Sequence, residues 1–220
     1  MFERVYIDSD GVIADFPSYV MQHYGKLPDG LTGRDKKDFW QWVQHHNDTV
    51  EPFFLNLPKM KGADVLLDYC TKMFDEVIIL TATGHTPIGV GEQKREWYKK
   101  HYPDLKVELV RKSSDKARYA ESGRILIDDR DKSIDPWVAA GGTGILHTSA
   151  EDTIKQIKFL LNKRMNSLDF YKRRCEALQA IQDKMRDPER KAVCDILANG
   201  FTYEYEEDKF KLPMEYYNGS

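Results

Sequence analysis

Residues 5–16 read Val5-Tyr6-Ile7-Asp8-Ser9-Asp10-Gly11-Val12-Ile13-Ala14-Asp15-Phe16. Three apolar residues lead into two carboxylates two positions apart, and a glycine follows at once. Residues i and i+2 of an extended chain project to the same side. Asp8 and Asp10 are therefore predicted to share one space at the carboxyl end of a buried strand, the edge at which open α/β sheets bind ligands. Two like charges this close repel by roughly 4 kcal/mol at an effective dielectric near 20. A positive group between them or a proton on one of them relieves that repulsion, and a divalent cation is the favoured reading.

Four further short apolar runs read as strands of the same sheet. With Arg4 to Asp8 they are Val77 to Thr81, Val107 to Val110, Ile125 to Asp128, and Gly144 to His147. Near-continuous Val, Ile and Leu is the pattern of parallel strands covered on both faces. Helical periodicity fills the gaps at residues 62–74, 91–101, 115–121 and 133–140. Strand and helix in alternation predict a doubly wound, Rossmann-like α/β core of about five parallel strands, built from residues 1–15 and 61–160. The Gly141-Gly142-Thr143-Gly144 run fits a helix stop before the fifth strand and lacks the lysine of a phosphate loop.

Residues 16–60 form a long insertion after the first strand, predicted to be a small helical cap. Thr32-Gly33-Arg34-Asp35 has a capping-box pattern that opens a helix. The aromatics of this segment, with Phe16, Trp40, Phe53 and Phe54 foremost, are candidates to stack on a substrate ring. About half of them are expected to serve only as the core of the cap. His45-His46 has no partner at zinc-ligand spacing and reads as solvated. Residues 161–220 are predicted to be a carboxy-terminal helical extension, reached through a helix with Ser149 at its N-cap. Ile154, Ile157, Leu161, Leu168, Tyr171, Cys175, Leu178 and Met185 fall near heptad positions, so these helices pack on the core or pair two copies as a homodimer. Between residues 155 and 191 Lys and Arg outnumber Asp and Glu by 11 to 5. The acidic and aromatic residues from Phe201 to Phe210 suggest a short strand or hairpin.

The bulk properties narrow the class. The chain has 220 residues, 41% hydrophobic and 31% charged, which is the composition of a soluble globular protein. No run approaches the ~20 apolar residues of a membrane helix. Met1-Phe2-Glu3-Arg4 passes straight into the first predicted strand, so no signal peptide is expected. Cys70, Cys175 and Cys194 are odd in number and widely spaced, as expected of reduced thiols in a cytoplasmic protein. A net charge of −3 provides no global attraction to nucleic acid.

The chemistry-bearing residues occur in a definite order. Asp8-x-Asp10-Gly11 comes first, then Ile78-Ile79-Leu80-Thr81-Ala82-Thr83, with a hydroxyl at a strand end. Ser113-Ser114-Asp115-Lys116-Ala117 follows on a crossover, and Ile125-Leu126-Ile127-Asp128-Asp129-Arg130 ends the fourth strand in paired carboxylates. All four pieces are expected on one edge of the sheet. Lys116 is preferred to Lys112 as the lysine that reaches it.

Over residues 1–160 this order resembles the haloacid dehalogenase-like superfamily of phosphotransferases. Within it the chain is most similar to the 5′(3′)-deoxyribonucleotidases. The likeness rests on Asp8-x-Asp10-Gly11-Val12-x-Ala14-Asp15-Phe16, Phe53-Phe54-x-x-Leu57, Leu80-Thr81 and Leu126-Ile127-Asp128-Asp129-Arg130. It implies a Mg²⁺-dependent phosphomonoester hydrolase acting on (deoxy)nucleoside monophosphates. Asp8 is the expected nucleophile and Asp10 the acid and base. Thr81, Ala82 and Lys116 are expected to hold the phosphoryl group. The resemblance further implies Asp8, the backbone carbonyl of Asp10 and a carboxylate of the Asp128-Asp129 pair as metal ligands, with Asp129 favoured as the direct one and Asp128 either direct or one layer behind it. An alternative is a polynucleotide 3′-phosphatase, to which the tryptophan-bearing Asp135-Pro136-Trp137 segment and the basic stretch 155–191 are suited. A second alternative is a non-catalytic binding protein that keeps the same fold.

Overall fold

In the computed structural model, described for residues 4–28, 30–163 and Lys172, β1 is Arg4–Ile7, β2 Glu76–Ala82, β3 Lys106–Val110, β4 Arg124–Asp128 and β5 Thr143–Leu146. They form one sheet in the order β3-β2-β1-β4-β5, with every neighbouring pair parallel. The chain winds outward from β1 to β3, then returns to the other side of β1 for β4 and β5. Its topological switch point therefore lies between the carboxyl ends of β1 and β4, where such sheets open a crevice. All five expected strands are present, with ends shifted by a residue.

Side-chain alternation divides the core into two layers. Val5, Ile7, Ile79, Ile125 and Ile127 face one cluster, with Leu66, Cys70, Trp97 and Tyr98. Tyr6, Ile78, Leu80 and Leu126 face the other, where Trp137 meets Tyr6 edge-on at 5.3 Å. Burying each aliphatic side chain of this kind contributes about 1.5–3 kcal/mol. The helices on these faces are α3 (Ala63–Met73), α4 (Val90–His101) and α5 (Asp131–Ala139). The crossover before β4 is a 3-10 helix, Ser113–Tyr119, where the sequence predicts an α-helix over 115–121. At the glycine stop before β5, a Cβ on Gly142 would collide with the Trp137 indole, so the residue is small because the ring packs there.

The insertion leaves and rejoins the core through one pair of adjacent strands of chain. Met60 donates its backbone N–H to the Ile13 carbonyl (2.7 Å) and Asp15 to that of Pro58 (2.8 Å). Between them lie α1 (Phe16–Tyr24) and α2 (Gly33–Thr49). Asp15 caps α1 by accepting from the Ser18 N–H at 3.0 Å, with Pro17 in the first turn. The capping box expected at Thr32 does not form: Thr32 is extended, but its side chain makes no cap hydrogen bond. His46 is also a correction. It is buried, not solvated, with both ring nitrogens unpartnered, enclosed by Tyr19, Trp42 and Phe53. Burial holds its pKa below the usual histidine value.

Residues 150–163 are helical (α6). Ser149 caps this helix through a hydrogen bond from the Asp152 N–H (3.1 Å), as expected. Its Ile157 is fully buried and Ile154 and Leu161 pack on the same core cluster, so the start of the heptad pattern serves the chain's own core. The compact unit that holds the sheet ends at Asn162. The remaining heptad positions, most of the basic stretch and the acidic-aromatic segment lie outside the described residues. Among the described residues, no helix is long and apolar enough to cross a membrane.

Candidate active site

Four carboxylates gather at the switch point because the two central strands both stop there. The backbone N–H of Asp8 continues the ladder onto the Ile127 carbonyl (2.9 Å), which brings the end of β1 beside the end of β4. The chain then turns sharply: Ile13 and Ala14 donate to the Ser9 carbonyl at 2.8 Å, and Gly11 to that of Ala14 at 2.9 Å. Gly11 takes φ 81°, a left-handed conformation that side chains resist. At the end of β4, Asp128 is wholly buried, and its carbonyl accepts from the His147 N–H at 2.8 Å.

Lys116 joins the two strand ends. Its side chain is 1% exposed, and Nζ lies 2.7 Å from Asp8 Oδ1 and 2.5 Å from Asp128 Oδ2. Burial disfavours the ammonium, but the two carboxylates prevail and raise its pKa. Burial likewise opposes ionisation of Asp8, yet the Lys116 and Lys94 charges bring its pKa below the ordinary value. Lys112 is exposed and meets Asp115 through its backbone, donating its N–H to the carboxylate (3.1 Å) and accepting from the Asp115 N–H (3.0 Å).

Asp8, Asp128 and Asp129 can place one oxygen each within 4.8 Å of one another. Both oxygens of Asp128 are occupied, one by Lys116 and one by the Arg130 N–H at 3.0 Å. Asp129 Oδ1 is buried without a partner. Burial, with the Asp8 charge next, pushes Asp128 up to about 6 and Asp129 up to about 8. Such a set of hard oxygen donors, one of them orphaned, fits a magnesium ion. The charge count agrees: ionising all four carboxylates against the two buried ammonium groups of Lys94 and Lys116 would leave two negative charges unbalanced, which a divalent cation offsets.

Lys94 is the site residue that sequence reasoning misses. It lies on α4, 2% exposed, and donates to Asp10 Oδ2 at 2.6 Å, Thr81 Oγ1 at 2.8 Å and the Ala82 carbonyl at 3.3 Å. The available signal was its register. Val90, Lys94, Trp97 and Tyr98 form the buried stripe of the helix, so a lysine occupies a core position. Burial raises the pKa of Asp10; Lys94 opposes this and the Asp8 charge adds to it.

The cap aromatics divide. Phe53 is fully buried among Tyr19, Trp42, His46 and Phe54, which corrects the expectation that it stacks on a substrate: no face of its ring is open. Phe54 is 4% exposed and its ring lies 5.0 Å from Lys94 Nζ, with Phe16 stacked on it at 6.0 Å. Phe16 and Trp40 are partly open. Polar contacts tie this layer to α4 and the loop before it. Gln93 donates to Asn47 (2.7 Å) and accepts from the Phe54 N–H (2.9 Å), while the Ile88 N–H donates to Gln44 (2.9 Å).

No protein-family model and no curated protein matches the sequence. Among solved structures, a hydrolase from Streptococcus pneumoniae is similar at 15% identity and TM-score 0.43, over 71% of this chain and 98% of that one. The HAD domain of the effector protein Lem4 from Legionella pneumophila is similar at 13% identity and TM-score 0.37, over 70% of this chain and 93% of that domain. Likenesses this distant carry nothing about the chemistry, which is read from the side chains themselves.

Proposed function

We propose that this chain is a Mg²⁺-dependent phosphomonoester hydrolase of the haloacid dehalogenase-like type, working through a phosphorylated Asp8. The observation that carries the reading is the buried lysine bridge: Lys116 pairs with Asp8 and Asp128 while Asp129 Oδ1 stands unpartnered beside them. Asp8 is kept ionised and fixed, as a nucleophile must be. Asp8, Asp129 and the Asp10 carbonyl would hold the ion, with Asp128 anchoring Lys116. When bound, magnesium neutralises charge on the phosphoryl oxygens.

The chain's own residues supply the rest. An Asp8 oxygen attacks phosphorus as the ester P–O bond breaks, and the leaving oxygen takes a proton from Asp10. A water then gives its proton to Asp10 and attacks the same phosphorus. The acyl-phosphate bond breaks, inorganic phosphate departs, and the Asp8 carboxylate is restored. The raised pKa of Asp10 suits it to carry that proton in both directions. The Thr81 hydroxyl and Lys116 steady the phosphoryl oxygens.

Substrates of this reading are (deoxy)nucleoside monophosphates, with Phe16 and Trp40 as the ring faces still open to a base. A polynucleotide end is disfavoured because the Gln93–Asn47 and Ile88–Gln44 bonds fasten the insertion against α4 and its preceding loop. The deciding experiment is a phosphate-release panel with Mg²⁺ across 5′- and 3′-nucleotides, 3′-phosphorylated oligonucleotides and sugar phosphates. Mononucleotide turnover that Asp8→Asn and chelation both abolish is the expected result. Turnover that survives Asp8→Asn refutes the reading.

A further inference from the structure

Lys94 is a buried charge for which the two-step chemistry has no evident task. Its ammonium carries three protons and meets three acceptors, Asp10 Oδ2, Thr81 Oγ1 and the Ala82 carbonyl, with the Phe54 ring beside it. A lysine so engaged has no proton left for a substrate. Its influence must pass through the groups it holds.

Two consequences follow from the donor inventory. Lysine only donates, so Thr81 Oγ1 accepts from it and the Thr81 hydroxyl proton turns elsewhere, free for a phosphoryl oxygen. At Asp10, Oδ2 is held while Oδ1 is buried without a partner. A carboxylate gripped at one oxygen does not swing, so the same atom faces the reaction in every turnover.

We propose that Lys94 is a positioning residue that clamps Asp10 and Thr81, presenting Asp10 Oδ1 for proton transfer and the Thr81 hydroxyl to the phosphoryl group. The proposal rests on the reading of Asp8 as nucleophile. The step it serves is the first: the Asp8–phosphorus bond forms, the ester P–O bond breaks, and the proton on Asp10 Oδ1 passes to the departing oxygen.

The test compares leaving groups. Lys94→Met and Lys94→Arg are assayed as full-length, magnesium-loaded chains on a nucleoside 5′-monophosphate and on p-nitrophenyl phosphate. The aryl oxygen is a weak base and needs little protonation. In Lys94→Met, kcat on the nucleotide is expected to fall about 100-fold or more, against about tenfold or less on the aryl ester. KM for both should stay within about threefold, and Lys94→Arg should recover part of the nucleotide kcat. Equal falls on both esters, or an unchanged nucleotide kcat, overturn the clamp.

A measurement that keeps Lys94 in place covers a Lys94 variant that fails to fold. With lysine Nζ labelled with ¹⁵N, Lys94 and Lys116 should give two ammonium resonances that exchange slowly with water. Asp10→Ala is expected to shift the Lys94 resonance alone, and no shift overturns the clamp. The two failures stay separate: an active Asp8→Asn refutes the underlying chemistry, whereas an inactive one beside equal ester losses refutes only the role of Lys94.

Discussion

Gly11 and Asp129 occupy one space. Gly11 has φ 81°, and a Cβ there would come within 2.8 Å of Asp129 Cγ. The glycine after the two aspartates thus serves the turn and also admits the carboxylate that has an orphaned oxygen. Gly11→Ala is expected to cost about 1–3 kcal/mol in denaturant unfolding, from the left-handed conformation alone. Displacing Asp129 should also weaken Mg²⁺ binding about tenfold or more, read by calorimetric titration. Unchanged affinity would place Asp129 away from the ion.

Lys116 is the sole cation in contact with Asp8 and Asp128 among the described residues. Removing one partner from a buried pair leaves uncompensated charge, at a cost of about 3–5 kcal/mol. Lys116→Met should show that loss in urea unfolding near pH 8 without Mg²⁺. The deficit should shrink toward pH 5, as the carboxylates left unpaired take up protons. A loss independent of pH would make Lys116 a packing residue only.

What could be read from the sequence, and what could not, has a physical basis. Asp8 and Asp128 were legible because apolar runs that must be buried stop at them, and the parallel sheet then brings their ends together. Gly11 was legible as a glycine directly after the paired carboxylates but not as the gap that admits Asp129, since only the β4 neighbour reveals that approach. Lys94 escaped because a lysine on a helix is usually solvated, though its place in the Val90–Trp97 stripe was a signal. His46 was misread for the same reason: its polar ring lies inside an aromatic cluster that local spacing does not reveal. The Thr32 box failed because a capping pattern specifies residue types and not the rotamer that makes the bond.

Asp129 makes the apo-protein acid-favoured. Its folded pKa of about 8 lies above the 3.8 of an unfolded chain. The stability associated with it is therefore fully present below about pH 4 and lost as pH rises through 8. Asp128, raised to about 6, adds to the same slope at lower pH. Asp8 is shifted downward and acts in the opposite sense only at strongly acid pH. In EDTA the melting temperature should fall from pH 5 to pH 8.5. Saturating Mg²⁺ should offset the fall, because the ion binds the ionised carboxylates and stabilises the folded state by mass action. Parallel curves with and without Mg²⁺ would deny the ion these ligands.

Phe53 and Phe16 separate core from contact surface within the insertion. Phe53 is fully enclosed, so Phe53→Ala opens a cavity beside Tyr19, Trp42 and His46, at an expected cost of about 3–5 kcal/mol. Phe16 is partly open and stacks on Phe54 at 6.0 Å, so Phe16→Ala should cost less, about 1–2 kcal/mol. If a base stacks on Phe16, that variant raises KM for a nucleoside monophosphate several-fold and leaves KM for a sugar phosphate unchanged. Truncation at Phe53 is expected to lower the melting temperature without that distinction. A Phe16 variant that treats both esters alike would remove the ring from substrate recognition and leave Trp40 as the remaining open face.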